Sequence, residues 1–481
     1  MGGGMGGGGM GGGRGGGGGH RRGGQGQGQK PAQTSSAPVN AMHAPADVPV
    51  SMRLTGLLIV SGQSKGLTHA TVAATKPDLS AVYVERNGQL SLDGVDLSGA
   101  GDVSLLSDGR DSGLDSALLV GSQGLVIVTG GHISTTGKGA NAVFVADPGS
   151  KIGLKNVDVA THAADAFGIE ASAGGSVAGD GVTVATTADR STAVAVQTPE
   201  SRAILTGGHL TTEGSASNAF FVAGTLEASG VTAETKDADG LAADAARSVT
   251  LTDTHLSANG YGAALYAGDA PQRPAGPGAP PAGPAPHPGM SGPSAPTTHT
   301  AVAAAAVGDD VPLRRTALTM TGGTLKSRRA AFYVTNLHAD ITLDHVALQS
   351  DSGVLVRSAA DHWGPLGRNG GEVHLVTHHQ TLTGDFATDV ISSIALSLAD
   401  ESVLTGATTS NVDVEMDASS KWVLTGDTNV GKLNDAAIAG DTVPNITGNG
   451  HTLTYDHRHN PQLGNKTYAL AGGGQLVPGG L

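Results

Sequence analysis

A short phrase that returns every 23–26 residues governs what this chain can become. It consists of an apolar residue, a four-residue turn element and a second apolar residue, with threonine or serine close behind. The copies read Leu92-DGVD-Leu97, Val128-TGGH-Ile133, Leu154-KNVD-Val159, Gly179-DGVT-Val184, Leu205-TGGH-Leu210, Ala228-SGVT-Ala233, Leu251-TDTH-Leu256, Met320-TGGT-Leu325 and Leu343-DHVA-Leu348. Their last residues are spaced 36, 26, 25, 26, 23, 23, 69 and 23 apart. A third apolar element completes each repeat, as in Ala142-Val-Phe-Val145, Ala193-Val-Ala-Val196, Ala219-Phe-Phe-Val222 and Ala331-Phe-Tyr-Val334. Past an irregular patch, Ser358–Gly371, a related phrase takes over at Leu382-Thr-Gly-Asp385, Leu404-Thr-Gly-Ala407, Leu424-Thr-Gly-Asp427 and Ile446-Thr-Gly-Asn449.

Three short strands and three turns in such a repeat describe one coil of a parallel β-helix. The expected fold is all-β, a right-handed parallel β-helix of about 15 coils and on the order of 70 Å long at about 4.8 Å per coil. A leucine-rich solenoid is the rival architecture, but its leucine- and asparagine-anchored pattern is missing. A β-sandwich does not keep one period for hundreds of residues. Composition agrees: 76 glycines supply tight corners, and 2 Trp, 6 Tyr and 6 Phe in 481 residues leave the interior to small apolar side chains.

Two stretches fall outside the period. Residues 1–49 open with a glycine run that buries nothing and is expected to be disordered. Arg14, Arg21, Arg22 and Lys30 make it mildly basic, yet no aromatic residues interleave, and the net charge of −14 disfavours nucleic-acid binding. The proline-, alanine- and glycine-rich segment 269–312 fills most of the 69-residue gap, so it reads as a loop inserted into a continuous array. The expected organisation is therefore a tail (1–49), coils (50–268), the inserted loop (269–312), further coils (313–440), and C-terminal coils with a cap (441–481). No cysteine is present, which excludes disulfides and thiolate metal sites. No apolar run is long enough for a transmembrane helix, and the N-terminus lacks the apolar stretch of a signal peptide.

Near the C-terminus the run Ser419-Ser-Lys-Trp-Val-Leu-Thr-Gly-Asp-Thr-Asn-Val-Gly-Lys-Leu433, followed by Gly450-His-Thr-Leu-Thr-Tyr455, resembles the end of bacterial autotransporter passenger domains of the pertactin-like kind. Trp422, Thr425, Gly426 and Asp427 carry the resemblance, which covers 60–100 residues closely and the rest only in architecture. It implies a β-helix adhesin at the cell surface or in the medium, meeting host-cell or bacterial glycans and proteins. It also implies terminal coils that act as a folding cap. The family's membrane β-barrel has no counterpart in this sequence, so a barrel supplied in trans is part of the expectation.

Arg357, Asp361, His362 and Trp363 share the irregular patch, where a tryptophan beside charged groups suits a sugar ring. His374 and His378 are even-spaced on one expected strand, with His379 on the opposite face, and are the candidate metal ligands. Asp456, His457 and His459 form a second titratable group. Asp96 with Asp158, and Asp93 with Asp344, share repeat positions but not adjacent coils, whereas polysaccharide cleavage needs carboxylates about 5–10 Å apart. Asp309-Asp310 resembles part of a polygalacturonase motif without its companions, and Lys236-Asp-Ala-Asp-Gly240 is a fragment of a calcium loop. No cofactor is expected. The leading expectation is a non-enzymatic adhesin; a polysaccharide lyase or hydrolase and a purely structural spacer are the alternatives.

Overall fold

The computed structural model describes residues 48–268 and 313–480. The expected disordered tail, apart from its last two residues, and the expected loop at 269–312 lie outside the described residues, as does Asp309-Asp310. What is described is an all-β parallel β-solenoid of about 15 turns.

One coil shows why this sequence winds as it does. Val143–Val145 belongs to the first sheet, Lys151–Lys155 and Asp158–Thr161 to the second, and Ile169–Ala171 returns to the first one coil later. Each residue stands in register on its counterpart: Val143, Ile169, Val194, Phe220 and Leu241 form one column. Ile152, Val177, Ala203, Leu226 and Val249 form another on the second sheet. All of these residues are buried in one continuous core. Alternation along each strand sends every second side chain inward, so the period of two in the sequence becomes a stack of like residues in space.

The threonine that follows each phrase is an interior residue. Thr135, Thr161, Thr186, Thr212 and Thr235 stack in one buried column. For four of the five a carbonyl a few residues on accepts the hydroxyl, as Thr135 Oγ1 donates to Ala140 O at 2.6 Å and Thr161 Oγ1 to Ala166 O at 2.9 Å, whereas the Thr186 hydroxyl is buried without a partner. At those four positions a β-branched side chain fills a crowded corner and satisfies its own polar atom.

The phrase's paired glycines do two different things. Gly130 sits at φ +62 with open space around its Cβ position, so it answers only to backbone conformation. At Gly131 (φ +90) a Cβ would stand 2.1 Å from the Val95 carbonyl oxygen, so the neighbouring coil itself demands glycine. Aspartates then join coil to coil. Asp102 Oδ1 accepts Lys138 N at 2.8 Å, Asp189 Oδ1 accepts Ser215 N at 2.9 Å, Asp413 Oδ1 accepts Lys432 N at 2.7 Å and Asp427 Oδ1 accepts Thr452 N at 2.8 Å.

The 36-residue gap between Leu97 and Ile133 has its cause in a short α-helix, Leu106–Ser112. No side chain caps its start, and it ends at Gly113 in the left-handed region, against the Phe144 ring. Toward the C-terminus Leu382, Leu404, Trp422 and Ile446 stack in a third sheet. Trp422 is completely buried and its Nε1 donates to Gly406 O at 3.0 Å. Thr425 and Asp427 face solvent at the adjoining turn. The solenoid ends where Tyr468–Ala471 pairs antiparallel with Gln475–Gly479, the latter also lying parallel to Thr452–Asp456. That reversal covers the last coil's edge with its own chain.

Candidate functional site

On the first sheet the middle residue of each triplet points away from the core. The column runs Tyr83, Leu119, Phe144, Glu170, Ala195, Phe221, Ala242, Ala264, Tyr333 and Arg357. Outward-facing residues of a coil ought to meet water, yet all of these except Arg357 are buried. They fall into small clusters separate from the main core. Eight of the chain's 14 aromatic residues belong to these clusters: Tyr83 and Phe144; Phe167, Phe221, Tyr266 and Trp363; Tyr261 and Tyr333. The aromatic scarcity of the sequence thus conceals a strong local concentration.

The irregular patch is laid across this face. It leaves the strand Val354–Ser358 and is fastened at both ends: Ala359 N donates to Val334 O at 3.1 Å, and Ser358 Oγ donates to Gly371 O at 2.8 Å. Ala360 N donates to Asp389 Oδ2 at 2.7 Å. Asp361 Oδ2 accepts the Tyr333 hydroxyl at 2.7 Å, and Oδ1 accepts His362 N at 2.7 Å and pairs with His362 Nδ1 at 2.8 Å. Partial burial raises the Asp361 carboxyl's pKa, but the hydrogen bonds from Tyr333 and His362 outweigh it and hold the group below its ordinary value. Tyr333 is displaced upward by burial and by Asp361.

Trp363 lies beneath this rim. It is only 4% exposed, with Tyr266 stacked on it at 5.3 Å and the His362 ring tilted against it at 4.3 Å. The open tryptophan platform expected for a sugar is therefore absent, because the ring is occupied by protein neighbours. Two tyrosines of the neighbouring cluster make a second aromatic pair, in which Tyr261 is half-buried and Tyr333 is as deeply buried as Trp363. Tyr261 and Tyr333 stack at 4.6 Å with planes 11° apart, and the Arg329 guanidinium stands 5.2 Å above Tyr261. Arg329 and Arg357 are exposed, and Asp361 and His362 are partly so. Arg357 follows Tyr333 in register one coil on.

Acids of unusual character sit on the same face. Asp239 is buried, accepts Tyr261 N at 2.7 Å, and is raised to about 7 by burial, against the opposing pull of Arg329. Asp244 is also raised by burial. Further toward the N-terminus Glu170 is wholly buried, with Oε2 accepting Asn141 Nδ2 at 2.7 Å, and burial drives its pKa far upward.

The two candidate metal ligands have separate partners. His374 stands near Asp340 at 3.6 Å, whereas His378 pairs with Asp400 at 2.7 Å. The C-terminal group is an ion pair: Asp456 binds Arg458 in bidentate fashion at 2.9 and 3.0 Å, His459 approaches at 3.2 Å, and His457 Nδ1 meets Gly479 O at 2.7 Å. Asp96 and Asp158 flank His132 in one exposed column, with His132 Nδ1 3.3 Å from Asp158. In the calcium-like fragment Asp239 turns inward while Lys236 pairs with Glu213.

Sequence reasoning picked out Arg357, Asp361, His362 and Trp363 but missed their partners Tyr261, Tyr333, Arg329 and Asp239. Their signal was available in the aromatic triplet centres and in the aspartate preceding Gly240. No helix among the described residues is long and apolar enough to cross a membrane. No protein-family model matches the chain, and no curated protein matches it.

Proposed function

We propose that this protein is an adhesin-like β-solenoid, a passenger of the autotransporter kind that works at the cell surface or in the medium and touches glycans through the outer face of its first sheet. The observation that carries the reading is the exposed rim of Arg329, Arg357, Asp361 and His362 beside partly exposed Tyr261, which is held by its stack on buried Tyr333. Aromatic faces bordered by charged hydrogen-bonding groups are what a sugar ring offers its C–H faces and hydroxyls to. The terminal coils add support, because buried Trp422 and the reversed last strand form the kind of cap the resemblance implies. Elsewhere Asp102, Asp189, Asp413 and Asp427 are engaged in coil-to-coil hydrogen bonds, a structural employment that supports a non-enzymatic reading.

Protease shaving of intact cells, with fractionation of membranes and medium, tests the location. Surface-exposed or released protein is the expected result, and a strictly internal, shaving-resistant protein overturns the reading. Glycan-array binding that disappears in Arg329→Ala/Arg357→Ala tests the contact surface.

A second reading, polysaccharide cleavage, is favoured by one observation. Asp239, raised to about 7, and Asp361, held low, lie on either side of the same tyrosine stack, and carboxyls pushed in opposite directions suit an acid and its ionised partner. Release of reducing ends or unsaturated products that is lost in both Asp239→Asn and Asp361→Asn would establish it.

A further inference from the structure

The corner that follows the second sheet's first run of residues in each coil takes a left-handed residue in coil after coil, whether the next strand belongs to the second sheet or, after His379, to the third. Glycine fills it at Gly94, Gly130, Gly181, Gly207, Gly230 and Gly322, with φ between +57 and +66. In two successive coils it is filled instead by histidine, His345 at φ +54 and His379 at φ +48. Histidine tolerates this region less well than glycine, so the backbone gives no reason for the choice. The other histidine at this corner, His69, has Gly94 on the next coil and no histidine neighbour.

The side chains show what the substitution achieves. Asp344 and His378 are register partners, so His345 and His379 follow them in the same column. Their rings stack at 4.8 Å with planes 20° apart, the separation of one coil step. Both Nδ1 atoms face one oxygen: Asp344 Oδ1 is 2.6 Å from His345 Nδ1 and 3.3 Å from His379 Nδ1. One nitrogen from each ring and one carboxylate oxygen all lie within 4.8 Å of one another.

From this geometry we propose that Asp344, His345 and His379 form a zinc site bridging two coils. Tetrahedral zinc takes imidazole nitrogen and carboxylate oxygen at about 2.0–2.2 Å, which sets ligand atoms about 3.3 Å apart. His379 already stands at that separation from Asp344; turning both Nδ1 lone pairs onto one ion requires the stacked rings to splay apart, which side chains 65% and 50% exposed are free to do. Zinc takes the Nδ1 lone pairs, so each neutral ring carries its proton on Nε2. Three protein ligands at an exposed corner leave the fourth position to water. Two imidazoles with one carboxylate favour zinc over calcium or magnesium, which take oxygen donors.

The test uses the full untagged chain with zinc and cobalt(II) as probes. Calorimetry is expected to show a zinc site that disappears, or weakens at least tenfold, in His345→Asn/His379→Asn and in Asp344→Asn. Asparagine occupies this corner at Asn156, so the double variant keeps a residue the fold already accepts. Unchanged far-ultraviolet dichroism confirms that. Cobalt should give visible bands of a tetrahedral centre with the wild-type chain only, and zinc should raise its melting temperature but not the double variant's. His374→Asn/His378→Asn should bind as the wild type does. Zinc uptake that is undetectable in the wild type, or unchanged in the double variant, overturns the proposal.

Discussion

The coils between residues 125 and 258 and those between 381 and 479 meet the same stacking demand with different materials. In the first set the interior is built mainly from valine, alanine, leucine and isoleucine columns, with Phe220 its one aromatic and a buried threonine column running from Thr135 to Thr235. The later coils fill theirs with Phe386, Trp422, Tyr455 and Tyr468, and close with a reversed strand. Their acids differ as well. Glu170, Asp239 and Asp244 are raised because burial dominates. Asp389 and Asp417 feel burial too, but hydrogen bonds overcome it and hold them low, and Asp456 is held at about 2 chiefly by Arg458. Asp435, raised by burial, is the exception in the later set. The contrast teaches that a solenoid's middle rests on many small equal contacts, whereas its end rests on a few large ones.

The sharpest way to break the comparison is Trp422→Ala. Removing a fully buried indole should cost about 3–5 kcal/mol, read as an early urea transition and lost hydrogen-exchange protection confined to the terminal coils. In the middle, Val194→Ala should cost about 2 kcal/mol by the same measurements, with protection falling mainly in its own and the adjacent coils. Gly130→Ala should cost about 1 kcal/mol, the price of its left-handed backbone alone. Gly131→Ala should exceed that, since it also collides with Val95.

An effect read in its slope against pH, and not at any single pH, concerns the acids. Asp239 binds its proton more tightly folded than unfolded, so its stabilisation is complete below about pH 4 and is lost as pH rises toward 7. Asp239→Asn should flatten that part of the stability curve. Asp417, lowered to about 2, behaves oppositely: its contribution is present above about pH 4 and disappears as pH falls toward 2, and Asp417→Asn should remove that acid limb. Chemical denaturation across pH 2–8 reads both.

Much of this architecture was legible in the residues. Val159, Val184 and Leu210 were aligned by spacing and do stand in register, and the segment 269–312 is bounded by coils that pair directly across it, Leu256 with Leu325. The helix Leu106–Ser112 was not legible, because about two turns without a capping side chain leave no helical periodicity to detect. The aromatic face was hidden for a different reason. Alternation assigns Phe144, Phe221 and Tyr333 to the outside, and only tertiary structure reveals that the outside is covered there. His345 and His379 escaped because the patch 358–371 breaks the period between them. Without the register, His379 belonged with His374 and His378 rather than with a residue 34 positions earlier.

One property of the register reaches beyond stability. Lys151 and Ser176 occupy the same column, and so do Val159 and Val184. Excising residues 151–175 would join Ser150 to Ser176, which already fits the vacated column, and every neighbour would meet a familiar partner. Such a chain is a ruler graduated in whole coils: duplication or loss of one 25-residue unit alters its reach by about 4.8 Å and alters little else. Length in a lineage of such proteins can therefore drift in discrete steps while the terminal anchor is inherited unchanged.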